Sequence, residues 1–534
     1  MGSQSFDLRV EPWIDVSWKD PTSKRPPRVG LRDLFAHAGE IAGFEAPFAP
    51  AASGFMRILV VLTARMTGLD AISTKAEWQQ RRRDLLAAPN RAFDPEAIAR
   101  VLDDADGFDL FGPRPFLQEP RLALECKSSS GLNKFVWPRA SGANQVFLSH
   151  DRDADPKPIP AAEAPWHLLT WLYYGPSGRC TARKVGDVDK ADTGGGPLRR
   201  TLSVHPWGDD LYETLLLNQV YLPSKHGLFD QALWEAGDSD VLEGPPEGSG
   251  LAWQLANRFR HAVLLVPDSS GQYVEDAYAT WAWRRAHPPA DDPYIPFQLN
   301  EKTGERYPRY AQADRAIWRD LDSLILHVPA EAPVSHPRVL VDFKGRPAIP
   351  DEVMRRLRIR AFGYEQDGQT RDKAFFETTT PPVLSALDDP ALEVRIERVH
   401  LAATQVGEQL RRTLRAAWVD LAGKPKKEAP WLAPAMAVYW SRAGEQFWRL
   451  IGTDEALPAL PNAFIRIATA VFEQATGAYG VSPVTISKLE THRSRLFRGW
   501  QKETRNDDHR RRTQVEQSRH DGEGPDTGSE DEDW

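Results

Sequence analysis

Residues 378–390 read TTTPPVLSALDDP, and the chain changes character across them. Adjacent prolines at 381 and 382 force extended backbone, and the acidic pair before Pro390 is a helix start signal. Beyond this point Val399, Ala403, Val406, Leu410, Leu414, Ala417 and Leu421 form one apolar stripe with a period of about 3.5, closed by GKPKK. Helical patterns continue over roughly 431–451, 462–476 and 483–503, with Phe464, Ala468, Val471 and Ala475 lining the third segment. Four helices with short links predict an up-down four-helix bundle over 390–505. From 506 to 534 the chain is charged and aromatic-poor until Trp534, which predicts a disordered tail.

Working back toward the N-terminus, residues 6–20 alternate like a strand and PTSKRPPR follows as an irregular loop. Leu31 to Ile41, Gly54 to Thr67, Lys75 to Leu86 and Pro95 to Asp104 carry helical spacing, the last with Asp94 as N-cap and Pro95 in the first turn. From about 107 to 380 the pattern is strand-rich, with Gly/Pro clusters between segments. The fold class expected is therefore α+β: a large mixed α/β domain over 1–380, then the helical bundle. At 534 residues, 41% apolar with 18 Trp, the chain is too long for one core, and its 43 Pro and 37 Gly imply many loops.

The net charge of −8 is misleading, because the last fourteen residues carry seven acids and no base, which leaves the body at −1. A near-neutral body is no nucleic-acid binder by bulk charge, so such a role must rest on local basic patches. Cys126 and Cys180, 54 positions apart, exclude a disulfide framework or a four-cysteine zinc site and fit a reducing cytoplasm. The apolar run ILVVLT, bracketed by Arg57 and Arg65, is far short of the ~20 residues of a membrane span. The start MGSQSFDLRVEPW lacks the basic-then-apolar pattern of a leader, so neither a membrane nor export is expected.

Motifs for catalysis fail one by one. TGGGPLRRT, 193–201, has glycines fit for an anion nest, but no Lys-Ser/Thr pair for a P-loop, and Pro197 excludes a dinucleotide turn. Asp151, Asp153 and Asp155 alternate as in a calcium loop, yet Pro156 stands where glycine is needed and Ala162 where glutamate is needed. No paired-histidine metal motif or serine elbow occurs, so no catalytic residue, metal or cofactor is expected. Two basic features remain. In RRLRIRAFGYEQDGQTRDK, Arg356, Arg358 and Arg360 alternate with apolar residues, which predicts a strand with its guanidinium face toward solvent, running into a polar turn that holds Gln366, Gln369 and Arg371. On the last helix Arg495, Arg498, Lys502 and Arg505 share a face, which either touches nucleic acid or only solvates the bundle.

Together these marks resemble the large subunit of the type I-E CRISPR Cascade complex, the CasA family. The resembling stretches are LRVEPWIDV, PRPFLQ at 113–118, TGGGPLRRTLSVHPWGDDLYETLLLNQV, AFGYEQDGQ and TGAYGVSPVTISKLETHRSRLFR, in family order over residues 6 to about 505. The resemblance implies a non-enzymatic subunit that reads the protospacer-adjacent motif on double-stranded DNA, promotes duplex opening and R-loop formation, and helps recruit the helicase-nuclease, while guide RNA reads the remaining sequence. Its implied partners are the other Cascade subunits, guide RNA, target DNA and that nuclease. The implied wedge glutamine is Gln366 or Gln369, and the implied minor-groove loop is YYGPSGRCTAR with Gly178 and Arg179. Lys134, in the loop after the PRPFLQ signature, and Ser23 and Lys24 in the N-terminal loop complete the implied DNA contacts. Two departures stand out. The chain lacks the paired C-x-x-C motifs of some members, and YVEDAYATWAW lacks the lysine with which some members touch the motif; that interaction is either missing here or supplied by Arg284 or Arg285. A purely architectural subunit is the alternative.

Overall fold

The computed structural model describes residues 4–496 except 104–106, 138, 142–149, 224, 226, 237–240, 243–246, 285–290, 301, 327–333, 342, 344–348, 369–370, 388, 424–426, 454–456, 458–459 and 480–481. The chain divides into two compact units, Met1–Glu393 and Val394–Trp534.

The strands, in chain order, are β1 (Ile14–Trp18), β2 (Arg28–Val29), β3 (Ile41–Glu45), β4 (Ile159–Pro160), β5 (Gly178–Val185), β6 (Val188–Thr193), β7 (Leu202–Trp207), β8 (His261–Pro267), β9 (Tyr273–Trp281), β10 (Phe297–Leu299), β11 (Arg306–Pro308), β12 (Val334–Ser335), β13 (Arg358–Asp367) and β14 (Arg371–Thr379). Helices of the first unit are α1 (Leu31–Ala36), α2 (Ala49–Thr67), α3 (Lys75–Leu86), α4 (Pro95–Asp103), α5 (Leu122–Glu125), α6 (Leu132–Phe135), α7 (Ala164–Tyr174), α8 (Leu211–Leu217), α9 (Leu251–Ala256), α10 (Arg338–Val341) and α11 (Asp351–Met354). The sheets run β2-β1-β3, β5-β6, β4-β9-β8, β14-β13-β7 and β11-β10-β12. All these ladders are antiparallel, so the unit segregates helices from small antiparallel sheets, as α+β domains do.

Helix α2 forms the core of this unit because it is apolar on every side. Pro50 sits in its first turn, Gly68 closes it at φ 70°, and nearly all its side chains are buried. It extends the ILVVLT run in both directions and is long and apolar enough to cross a membrane, yet 94% of that window is buried inside the protein. Arg57, with no exposed surface, is satisfied there by Asp292 at 2.8 and 3.1 Å, the Ser53 hydroxyl at 2.9 Å and Ser203 at 3.0 Å. A buried guanidinium is tolerated only with such complete pairing.

Two sequence expectations need correction. The helix expected over 31–41 stops at Ala36, because the chain turns at Ala38–Glu40 and sends Ile41 and Phe44 into the core, Phe44 against Phe55 at 5.1 Å. The strand expected over 6–20 is regular only in β1; Asp7 instead makes an isolated bridge to Asp109.

The second unit contains α12 (Pro390–Ala422, which begins just before the division), α13 (Leu432–Ile451), α14 (Leu460–Thr476) and helical turns over 483–496. The predicted stripe is buried from Val399 to Ala417 and frays at Leu421, which is half-buried. Tyr439 donates from its hydroxyl to the Ala403 carbonyl at 2.7 Å, and Arg395 to the Leu450 carbonyl at 2.9 Å, so α12 and α13 run antiparallel. Gly407 permits that approach, since a Cβ there would lie 2.4 Å from the Trp440 ring. Arg493 meets Glu473 at 2.6 Å and His492 meets Asp420 at 3.2 Å, which brings residues 483–496 against both α14 and α12. The tail over 506–534 lies outside the described residues.

Candidate nucleic-acid interface

The glycine loop between β6 and β7 folds against the end of α7. Gly196 donates to the Gly175 carbonyl at 2.9 Å and Leu198 to the Tyr173 carbonyl at 2.9 Å. A Cβ at Gly196 would sit 2.5 Å from the Tyr173 carbonyl oxygen and 2.7 Å from the Tyr174 nitrogen, both backbone atoms, so only glycine fits. This contact places Arg199 inside the fold with 8% exposure, its guanidinium over the Tyr364 ring at 5.2 Å. It donates to the Tyr174 carbonyl at 2.6 Å and to Gln366 Oε1 at 2.9 Å, and pairs with Asp372. Gln366 and Asp372 are register partners at the end of the β13–β14 hairpin. A single buried side chain therefore fastens the hairpin to the glycine loop.

The implied groove-reading loop stands on the other side of that glycine loop. Gly178, exposed with φ 115° and open space around its Cα, opens β5 opposite Thr193, and Arg179 pairs in register with Asp192. The β5–β6 hairpin is held from behind: Arg183, fully buried, contacts Glu125 at 2.6 Å, Glu119 at 3.4 Å and the Trp281 carbonyl at 3.0 Å. Ser130, in the loop before α6, meets the Thr181 hydroxyl at 2.6 Å and accepts from the Ala279 amide at 2.7 Å. Lys134 on α6 is half-buried, and burial pulls its ammonium below the ordinary lysine value; among the described residues no carboxylate pairs with it. Arg284 donates to the Asp192 carbonyl at 3.0 Å, so it stands at the foot of the same hairpin.

Behind these elements lies His261. Burial pushes its imidazole down to about 4; its bond to the Pro176 carbonyl opposes this, and the charges of Arg199, Arg260 and Lys134 add to it. Burial is the main cause, so the neutral imidazole is the form that survives there.

The remaining expected contacts are spread more widely. Ser23 and Lys24 lie in the β1–β2 loop: Lys24 is exposed, and Ser23 is half-buried in a turn that accepts from the Arg25 amide at 3.3 Å. Arg371 is exposed at the start of β14, and Arg495 is exposed on the last helical segment of the second unit. Gln369, Arg285 and Arg498 lie outside the described residues. The predicted arginine row is corrected: β13 starts only at Arg358, and Arg356, in the turn before it, contacts Glu213 at 2.6 Å and Asp209 at 2.9 Å, Arg358 approaches Asp209 at 3.8 Å, and Arg360 contacts Glu377 at 2.7 Å while covering Trp207. Its charge is spent on acids brought in from other segments, so it is not a free guanidinium face. Among the described residues no group of three His, Cys, Asp or Glu side chains could hold a metal, and both cysteines are free thiols.

Comparison with known proteins agrees with the resemblance. The family model for CRISPR-associated protein Cse1 matches residues 7–470. A chain from a CRISPR RNA-guided surveillance complex is 42% identical, superposes with a TM-score of 0.83 and covers 92% of this chain and 99% of its own. Cse1 from Acidimicrobium ferrooxidans, at 19% identity and TM-score 0.71, covers 94% of this chain and 99% of its own. CasA from Thermus thermophilus, at 20% and 0.68, covers 92% and 99%. No curated protein sequence matches. The chain belongs to the Cse1, or CasA, family of CRISPR-associated proteins.

Proposed function

We propose that this chain is the large subunit of a type I-E CRISPR RNA-guided surveillance complex, in which it reads the protospacer-adjacent motif on double-stranded DNA, starts strand separation for R-loop formation and helps recruit the helicase-nuclease. Its partners are the other Cascade subunits, the guide RNA and the target duplex, and it catalyses no reaction itself. One observation carries the reading: Arg199 joins the loop that braces Gly178 to the hairpin that ends in Gln366. A groove reader and a strand separator must act on adjacent base pairs, and a shared buried anchor keeps them in register. Lys134, which no carboxylate pairs with among the described residues, adds a cation suited to a phosphate.

The architectural alternative is favoured by one observation, the internal neutralisation of the predicted arginine row. The two readings separate on duplexes that differ only in the flanking motif. Guide-loaded complex with this chain is expected to discriminate between them, and complex without it to lose that discrimination. Equal discrimination without the chain sinks the proposal.

A further inference from the structure

A second feature borders the glycine loop. Between that loop, α9 and β10 is a cavity of about 230 Å³, and its wall includes Gly195, Gln254, Arg258, Arg260, Phe259 and Phe297. Arg258 is only 6% exposed, and burial together with the neighbouring Arg260 charge pushes its guanidinium below the ordinary value, against Asp291 and Asp292. Arg260 is half-buried, and burial lowers it with no carboxylate in opposition. The nearby acids are already engaged: Asp292 grips Arg57 through both oxygens, and Asp291 binds Arg306 at 3.1 Å and Arg338 at 2.7 Å. Gln254 supplies an independent sign, because its buried Nε2 donor has no hydrogen-bond partner among the described residues while its Oε1 accepts from Arg258 at 2.9 Å.

A half-buried Arg260 that no carboxylate opposes and an unsatisfied amide donor on Gln254, both lining one cavity, call for an anion. A guanidinium suits phosphate in particular. Apart from Asp292, whose charge Arg57 takes up, and Arg306, the remaining wall is mostly apolar, with Phe259 edge-on to Tyr173 at 5.1 Å and Phe297 under Arg306 at 4.2 Å. An apolar cavity of roughly 150 Å³ already takes benzene. The space here accepts a small ring as well as the phosphate, but not a whole nucleoside triphosphate.

We propose that this cavity is a seat for one pentose-phosphate unit, its phosphate held by Arg260 and the Gln254 amide, and its sugar ring laid against Phe259 and Phe297. A free sugar phosphate and a backbone unit of a single strand share this chemistry, and neither depends on motif reading. The test titrates the full chain calorimetrically at low salt with inorganic phosphate, ribose 5-phosphate and a ten-residue oligothymidine. Ribose 5-phosphate is expected to bind more tightly than inorganic phosphate, and Arg260→Gln to weaken it about tenfold, the loss of one charged hydrogen bond. Arg260→Lys is expected to keep most of the affinity. Binding of the oligonucleotide alone, lost in Arg260→Gln, supports the seat and assigns it to a strand. No binding of any probe, inorganic phosphate binding as tightly as ribose 5-phosphate, or unchanged affinity in Arg260→Gln overturns it. Should Arg260→Gln fail to fold, Gln254→Leu decides the matter: weakened binding supports the seat and unchanged binding refutes it.

Discussion

Arg199 Nε donates to Gln366 Oε1 across 2.9 Å, although the two residues stand 167 positions apart. Each partner restrains the other, because Arg199 is buried and Gln366 lies where the hairpin leaves the sheet. A double-mutant cycle with Arg199→Met and Gln366→Ala is expected to give a coupling of ~1.5 kcal/mol in the unfolding free energy, the range for a hydrogen bond to a charged group. Additive single effects would show that the bond contributes nothing.

The same bond separates the two glutamines. Gln366 is held by Arg199, so its removal is expected to lower the melting temperature, and we propose Gln369 as the glutamine that meets DNA. On that proposal Gln369→Ala in the assembled complex is expected to slow R-loop formation about tenfold while leaving the melting temperature unchanged. If Gln369→Ala complex opens targets at the normal rate and Gln366→Ala complex stalls, the assignment is reversed.

Two glycines should respond differently to alanine. At Gly196 the new Cβ would lie 2.5 Å from backbone that cannot yield, so a loss of ~3 kcal/mol or more is expected, comparable with severe overpacking. At Gly178 the space is open and only φ 115° is strained, at about 1–2 kcal/mol. Melting curves of the two variants rank them directly. Gly178→Ala, folded, should still impair discrimination of flanking motifs in the complex.

Acid should weaken the first unit through His261. The unfolded chain takes up a proton near 6.5, whereas the folded imidazole does so only near 4, so protonation favours unfolding throughout that window. Stability is therefore expected to be flat above about pH 7 and to fall by on the order of 3 kcal/mol between pH 6.5 and 4 from this group alone. His205, whose buried imidazole is also pushed well down, adds to the slope. Urea unfolding across that range should show a shallower decline for His261→Gln; an identical slope removes His261 from the account.

The bundle was legible in the sequence because its helices state their own period, and Val399 to Leu414 face inward with no help from distant segments. Helix α2 was legible from Gly54 to its C-terminal end but not in its first turn, since glycine and small residues around Ser53 hide a turn that tertiary burial makes helical. The arginine row was misread for a different reason. Glu213, which neutralises Arg356, is 143 residues away, and no local pattern announces it. Arg199 had the same difficulty: its partners Tyr174, Gln366 and Asp372 lie 25, 167 and 173 positions off, so the sequence displayed a basic loop where the fold contains a buried anchor.

Among the described residues strand β14 pairs with β13 on one side only, so its other rim offers open amide and carbonyl groups. Phe375 is 41% exposed on it, which would invite a second polypeptide to extend the sheet. Arg371, Asp372, Lys373 and Glu377 are spaced along the same nine residues and guard against that. Variants that strip those charges to simplify DNA studies should therefore be watched for clumping during purification, a fault that belongs to the rim of the sheet and would be mistaken for weakened affinity.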